Sequence, residues 1–358
     1  MTKRSPSSGE GLPTGGKRTM RYLKNVWYQA GWEAELDGDS LLSRTLLGEN
    51  IVMFRGKEGA PQAILDRCPH RFAPLSAGRL NDGVVTCGYH GLSFDGEGRC
   101  VGNPHGKPGA IRTRSFPIVA RNMILWVWMG DPDQADAARI PDCSFIDETP
   151  EAARITGTLP TGAHYQLIVD NIMDLSHADY LHPTTLGGMF TGAKTHVSGG
   201  NDRLLIEYNA VDCNPAPAFH SIVPPPQKAD VRVEVQWFAA GVMILAAGAQ
   251  PTGTTRDPGR DSFTLHSITP ETDGSAHYFY CSTRPFLTDN VEVSASIKAA
   301  LEKAFVEEDK PMLELQQRQI GDADFWSLNP LLLPIDSAAV QVRRALDKLI
   351  DAEARDER

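Results

Sequence analysis

Cysteine is scarce in this chain: six among 358 residues, too few and too scattered for the cross-linked framework of a small secreted domain. Basic residues are outnumbered, 35 Lys and Arg against 45 Asp and Glu, for a formal charge of −10, and no basic stripe interrupts the deficit. Non-specific nucleic-acid binding relies on such stripes, so nucleic acid is not expected as a partner. Long apolar runs are also missing. The longest, FAAGVMILAAGA at 238–249, is broken by glycine and falls short of the roughly 20 residues that cross a membrane. No membrane span is expected. The first nineteen residues, MTKRSPSSGEGLPTGGKRT, have no apolar core of the secretory kind and are rich in Ser, Gly, Pro and basic residues. Residues 1–19 are expected to be a disordered tail, with Met20 as an alternative start, and the default compartment is the cytoplasm, where thiols stay reduced.

What remains is ordinary globular composition, 41% hydrophobic and 22% charged, in a length that suits two domains. From Val26 to about Pro132, short apolar or alternating runs such as NIVMFRG, QAILDRC, GVVTCGY and NMILWVWMGDP are cut by Gly, Asp, Asn and Pro. They predict strands joined by tight turns, with a hairpin at the D-G of SFDGEGRCVG. A Pro- and Asp-rich stretch, 131–150, predicts the connection, and the boundary is placed near residue 150. Beyond it, LIVDNIMDLSHADYLHP has helical spacing, whereas VRVEVQWF, DSFTLHSITP and HYFYCSTRPF predict strands. One or two helices interrupted at Pro311 are expected between Val291 and Gln319, and a closing helix between Asp336 and Ala354. The expected class is α+β, with an all-β part at 20–150 and an α+β part at 151–358.

Two of the six cysteines fall in CPHRFAPLSAGRLNDGVVTCGYHG, residues 68–91, as C-x-H, sixteen residues, then C-x-x-H. Zinc, an iron–sulfur cluster or a coincidence of interior residues can each produce two Cys and two His on turns. Mixed zinc sites usually group like with like, C-x2-4-C and H-x3-5-H, whereas here each loop supplies one of each. That arrangement suits a [2Fe-2S] cluster whose irons differ, one held by Cys68 and Cys87 and the other by His70 and His90. Exchanging two thiolates for neutral imidazoles raises the potential to about −150 to +300 mV. Cys100, Cys143, Cys213 and Cys281 lack a histidine at such spacing and are expected to be small apolar residues.

The second concentration of chemistry is NIMDLSHADYLH, 171–182. His177 and His182 could be the imidazole half of a 2-His-1-carboxylate iron site, which leaves one face of the metal open. Five residues at about 100° each put them some 140° apart around an ideal helix, so an irregularity is expected there. The bland alternative is an interior His177 and a His182 that caps a helix C-terminus. Asp174, three residues before His177, shares a helix face with it and is expected to accept that ring's free N–H.

The spacing C-x-H-x16-C-x-x-H, continued by GYHGLSFDGEG, resembles the Rieske signature, and N-x-x-D-x-x-H-x-x-x-x-H resembles the catalytic helix of Rieske non-haem iron oxygenases. The opening LKNVWYQAGW, the segment VEEDKPMLELQQRQ and the helix SAAVQVRRALDKLI are similar to the branch that holds vanillate O-demethylase and dicamba monooxygenase. The resemblance implies an N-terminal Rieske [2Fe-2S] domain followed by a helix-grip catalytic domain with an antiparallel sheet, helices and a mononuclear Fe(II). It implies that the aspartate of E-D-K, Asp309, completes the triad, with Glu307 and Glu308 as competitors whose alternative role is a solvated helix face. It further implies that Asn171 approaches the iron without binding it, that Asp174 reaches a cluster histidine of another subunit in a homotrimer, and that His266 faces the substrate. Ala300 stands where the branch carries a pocket-lining tryptophan, which implies a roomier pocket. His105, His164, His196, His220 and His277 are assigned structural roles.

The implied function is that of a terminal oxygenase component using O2 to oxidise a small aromatic substrate, foremost by O-demethylation of a methoxylated aromatic acid. Electrons would come from NAD(P)H through a flavin and iron–sulfur reductase or a ferredoxin, since no dinucleotide-binding glycine pattern is present. A ring-hydroxylating or N-demethylating oxygenase would keep every metal ligand; a Rieske electron carrier would lack the second iron, and a structural zinc protein would lack both.

Overall fold

The computed structural model describes residues 21–356; the expected tail at 1–19 lies outside the described residues. The first part is built from ten short strands: Trp27–Trp32 (β1), Leu42–Leu46 (β2), Glu49–Arg55 (β3), Pro61–Leu65 (β4), Arg79–Asn81 (β5), Val84–Thr86 (β6), Ser93–Phe94 (β7), Cys100–Gly102 (β8), Ile118–Arg121 (β9) and Ile124–Trp128 (β10). They form three antiparallel sheets ordered β1-β10-β9, β2-β3-β4 and β5-β6-β7-β8. The run Ile51-Val52-Met53-Phe54 is wholly buried because β3 is covered on both faces. Ile51 and Met53 face the main core, while Val52 and Phe54 face a separate small core that includes Cys68 and Cys87. The D-G turn forms: Gly98 donates to the Asp95 carbonyl at 2.9 Å. Gly98 has φ +73°, and a Cβ there would lie 2.2 Å from the Thr113 carbonyl, so glycine is required.

The Pro- and Asp-rich connection is not a loose tether. It contains a short helix, Ser144–Glu148 (α1), and Ile140, Cys143 and Ile146 pack with Trp126 and Trp128 of β10 and with Leu265 and Cys281 of the second part. That part opens with Arg154–Thr161 (β11), then helices Tyr165–Met173 (α2) and Ala178–Leu181 (α3). Six strands follow, Lys194–Gly200 (β12), Arg203–Cys213 (β13), Ala229–Phe238 (β14), Val242–Pro251 (β15), Ser262–Thr272 (β16) and Ser275–Thr283 (β17). They make one antiparallel sheet with β11, ordered β11-β17-β16-β15-β14-β13-β12. Alternation sends Leu204, Ile206, Tyr208 and Ala210 of β13 and Val231, Val233, Val235 and Trp237 of β14 into the main core. Three further helices close the fold: Val291–Glu302 (α4), Lys310–Ile320 (α5) and Ser337–Asp356 (α6).

The two parts dock through backbone. Leu47 and Gly48, in the β2–β3 turn, donate to the carbonyls of Pro270 and Glu271 at 2.9 and 2.8 Å. Thr269 donates to Gln29 O at 2.7 Å, and the His277 ring meets Thr45 O at 3.0 Å. Among the described residues no helix is long and apolar enough to cross a membrane.

Two helical expectations need correction. The segment 167–183 is not one helix: α2 ends at Met173, Asp174 is extended (φ −126°, ψ 93°), a 3-10 turn covers Leu175–His177, and α3 follows. Pro311 does not interrupt its helix either. It occupies the first turn of α5, where its missing N–H is harmless, and the irregularity lies just before it, in a π-helical segment at Lys303–Asp309.

Candidate metal centres

The two Cys/His loops share one backbone design. Cys68 donates to Ala73 O at 2.8 Å and accepts from Phe72 N–H at 2.9 Å; Cys87 donates to Leu92 O at 2.8 Å and accepts from Gly91 N–H at 3.1 Å. In each loop the residue four beyond the cysteine is left-handed, Phe72 at φ 62° and Gly91 at φ 75°. Equivalent loops on β4–β5 and β6–β7 thus face each other. Both cysteines are 2% exposed, and burial pushes the Cys68 thiol up. The His70 and His90 rings lie outward with centroids 4.6 Å apart. Two buried sulfurs on the inner side and two converging imidazoles on the outer side fit a diiron cluster with unlike ends.

The second centre assembles around the break after α2. Its extended residue lets the 3-10 turn and α3 carry His177 and His182 toward one point. His182 Nε2 lies 3.1 Å and His177 Nε2 3.4 Å from the same Asp309 Oδ1, and the three ligating atoms fall within 4.8 Å of one another. Asn171 donates to that oxygen at 3.0 Å, with its amide 3.3 Å from His177 Nε2. Burial alone would raise the Asp309 carboxyl, but the bonds and charge of the two histidines outweigh it and hold it at about 2. Burial likewise works against a charged His182, and Asp309 with Glu308 overcomes it and raises that pKa. Two imidazoles and one carboxylate on one side of a cavity are the donor set for a divalent first-row metal with open positions.

Those three residues form part of the wall of a cavity of about 180 Å³, otherwise lined mainly by apolar side chains such as Leu245, Ile297, Leu301 and Phe305. His266 is on the same wall. Its Nδ1 is 2.6 Å from Tyr278 Oη, its Nε2 has no hydrogen-bond partner among the described residues, and burial holds its pKa down to about 4. The loop after His182 is shaped by Asp179, whose carboxylate accepts from the backbone of Gly188, Met189, Phe190 and Thr191 at 2.6 to 3.1 Å and so sets Met189 and Phe190 against the cavity.

Residues 26–117 match the Rieske [2Fe-2S] domain, and residues 161–352 match the vanillate O-demethylase oxygenase C-terminal domain. The chain is 39% identical to the oxygenase component of chloroacetanilide N-alkylformylase from Rhizorhabdus wittichii, over 93% of this chain and 97% of that one. It is 35% identical to the oxygenase component of dicamba O-demethylase from Stenotrophomonas maltophilia, over 94% and 100%. A crystal structure of dicamba monooxygenase bound to dicamba superposes with a TM-score of 0.86, at 35% identity, over 94% and 99% of the two chains. The chain is a Rieske non-haem iron oxygenase. Like the family, this oxygenase pairs a Rieske domain of strands with a catalytic domain built on a large antiparallel sheet.

The oxygenase departs from the sequence reading at two residues. The Asp174 carboxylate does not accept from His177. The chain leaves the helix at Asp174, so i,i+3 proximity is lost; the carboxylate caps the next turn by accepting from Ser176 N–H at 3.0 Å, and the His177 Nδ1 partner is the Asp174 main-chain carbonyl at 2.5 Å. Glu308 is not on a solvated face: its carboxylate meets His182 Nδ1 at 2.7 Å. Ala300 is not among the residues on the cavity wall, to which α4 contributes Ile297 and Leu301. Helical spacing could not have found Glu308, because the π turn that aims it is invisible in the residue pattern.

Proposed function

We propose that this oxygenase is the oxygen-activating component of a multicomponent monooxygenase that removes an alkyl group from a small aromatic substrate, with O-demethylation of a methoxylated aromatic acid as the first reading. The observation that carries it is the His177–His182–Asp309 set in the wall of an apolar cavity that also presents His266. In this reading residues 20–150 are the electron-transferring part, with Cys68 and Cys87 on one iron and His70 and His90 on the other, and residues 151–358 are the oxygen-activating part. The mononuclear Fe(II), when bound, supplies reduction of O2, and the cluster supplies electrons singly. The chain's own residues position. Asn171 steadies the Asp309 carboxylate, apolar walls exclude water, and His266 offers the substrate a hydrogen bond. Aryl methyl ether, O2, two electrons and two protons give phenol, formaldehyde and water, through a hemiacetal that collapses. The electrons come from a separate flavin/iron–sulfur reductase or ferredoxin.

A homotrimer belongs to the same proposal. Asn171, Asp174 and His177 also border an outer groove of about 560 Å³ whose rim includes Met312, Leu315 and Leu331, exposed by 44%, 46% and 86%. Beside the cluster histidines, Phe72 and Tyr89 are exposed by 71% and 60%. Apolar rims of this kind mark protein contacts, and a head-to-tail ring would set each cluster edge in a neighbour's groove, with Asp174 toward His90 of the partner subunit.

N-dealkylation is the second reading, favoured by the mainly apolar cavity and by the chloroacetanilide N-alkylformylase relative. The reconstituted oxygenase, supplied with reductase and 18O2, is given methoxybenzoates and N-alkylanilides. Formaldehyde and a phenol from the ethers support the first reading, an aldehyde and a secondary amide the second, and a ring-hydroxylated product with no aldehyde defeats both.

A further inference from the structure

Adjacent residues of one helix, Glu308 and Asp309, place a carboxylate on each nitrogen of one imidazole. Glu308 Oε2 is 2.7 Å from His182 Nδ1, and Asp309 Oδ1 is 3.1 Å from its Nε2. Neighbours on a regular α-helix diverge by about 100°, whereas here both carboxylates close on one ring. Here Lys303–Asp309 is wound as a π-helix, and such turns are uncommon and frequent at functional sites. The His182 side chain is 1% exposed and that of Glu308 18%, so the contact is screened from bulk water. The far oxygen of Glu308 is 4.0 Å from Lys303 Nζ, which donates to Thr184 Oγ1 at 2.8 Å. The loop that follows His182 is therefore tied to the same turn that aims both carboxylates.

A carboxylate can only accept, so Nδ1 donates to Glu308, and the ring's lone pair for a metal would be the one on Nε2, the nitrogen that faces Asp309 and His177. His177 has a different support, a neutral main-chain carbonyl. The geometry points to Glu308 as a positioning residue for the mononuclear metal: it fixes the His182 tautomer and ring orientation and places a second negative charge behind that ligand. The inference rests on the reading that His177, His182 and Asp309 hold the metal. Loss of such an outer partner typically costs about 10- to 100-fold in metal affinity.

The test uses the cluster-loaded oxygenase stripped of mononuclear metal, with Co(II) as the probe in competition against a fluorescent chelator, and the cluster absorption as the check on folding. Glu308→Ala is expected to bind Co(II) about 10- to 100-fold more weakly than the parent. Glu308→Gln, whose amide oxygen can still accept from Nδ1, should recover most of that loss, and Glu308→Asp, one methylene short of the ring, should not. The exposed neighbour provides the control, Glu307→Ala with parental affinity. Equal affinity in Glu308→Ala overturns the inference while leaving the metal site standing. Should Glu308→Ala lose its cluster, equal affinity in Glu308→Asp overturns it instead. A parent chain that binds no Co(II), or an Asp309→Ala variant that binds it undiminished, overturns the metal site and the inference together.

Discussion

Replacing Arg343 by leucine tests how the closing helix holds the catalytic one. Arg343 of α6 donates through Nε to both Asp170 oxygens at 3.0 and 2.8 Å, through Nη2 to Oδ2 at 2.5 Å, and through Nη1 to Gln166 at 3.2 Å. Both partners, Gln166 and Asp170, lie on α2, and Asp170 directly precedes Asn171. Arg343 is buried, while 24% of the Asp170 side chain reaches solvent. Leaving one member of a buried pair unpaired costs about 3–5 kcal/mol, and partial hydration of Asp170 places the expectation at about 3. Asp170 already has a raised pKa, because burial outweighs the arginine, and without Arg343 it should rise further. A carboxyl whose folded pKa is raised contributes stability below its unfolded pKa and loses it as pH rises toward the folded value. The Arg343→Leu deficit should therefore be smaller at pH 5 than at pH 8. In Asp170→Asn/Arg343→Leu, with no charge left unpaired, most of the loss should return. Denaturant unfolding of the four proteins at both pH values gives the coupling energy. A single variant less than about 1 kcal/mol below the parent, or a double variant as unstable as the single, would refute the reasoning.

Other outcomes follow from the two centres. Asp309→Asn should eliminate mononuclear iron and turnover while the cluster absorption and EPR signals persist; a fully active variant would remove Asp309 from the ligand set. Asp174→Asn keeps an acceptor for the Ser176 N–H, so its melting temperature should change little, yet in the trimer reading cluster reoxidation in a single turnover should slow by about 10-fold or more. An unchanged rate would argue against the bridge between subunits. His266, held at about 4 against an ordinary 6.5, is a base with a depressed folded pKa. Its contribution is complete above pH 6.5 and is lost as pH falls toward 4, by up to about 1.4 kcal/mol per pH unit and about 3 in all. His266→Gln should lack that slope; parallel stability curves for the two proteins would rule it out.

The strands around NIVMFRG and NMILWVWMG were readable because alternation and turn residues are local signals, and the two Cys/His loops because their ligands lie within 24 residues of sequence. That a straight helix could not serve both histidines was also legible from angular arithmetic alone, although the break lies at Asp174, before His177, and not between the two rings. The cause of the break was not: extended backbone at Asp174 moves that carboxylate away from His177, and Pro311 reads as a break although it sits in a helix's first turn.

Residue identity and spacing determined which atoms are available for metal and which segments are sheet, since both depend on near neighbours along the chain. Residue spacing left the third carboxylate open and only resemblance pointed to Asp309; tertiary structure decided that Glu308 stands behind His182, because both acids lie more than 120 residues from that ring and only folding sets their distances. A π turn has no composition of its own. It lies where two successive acidic residues meet a single ring.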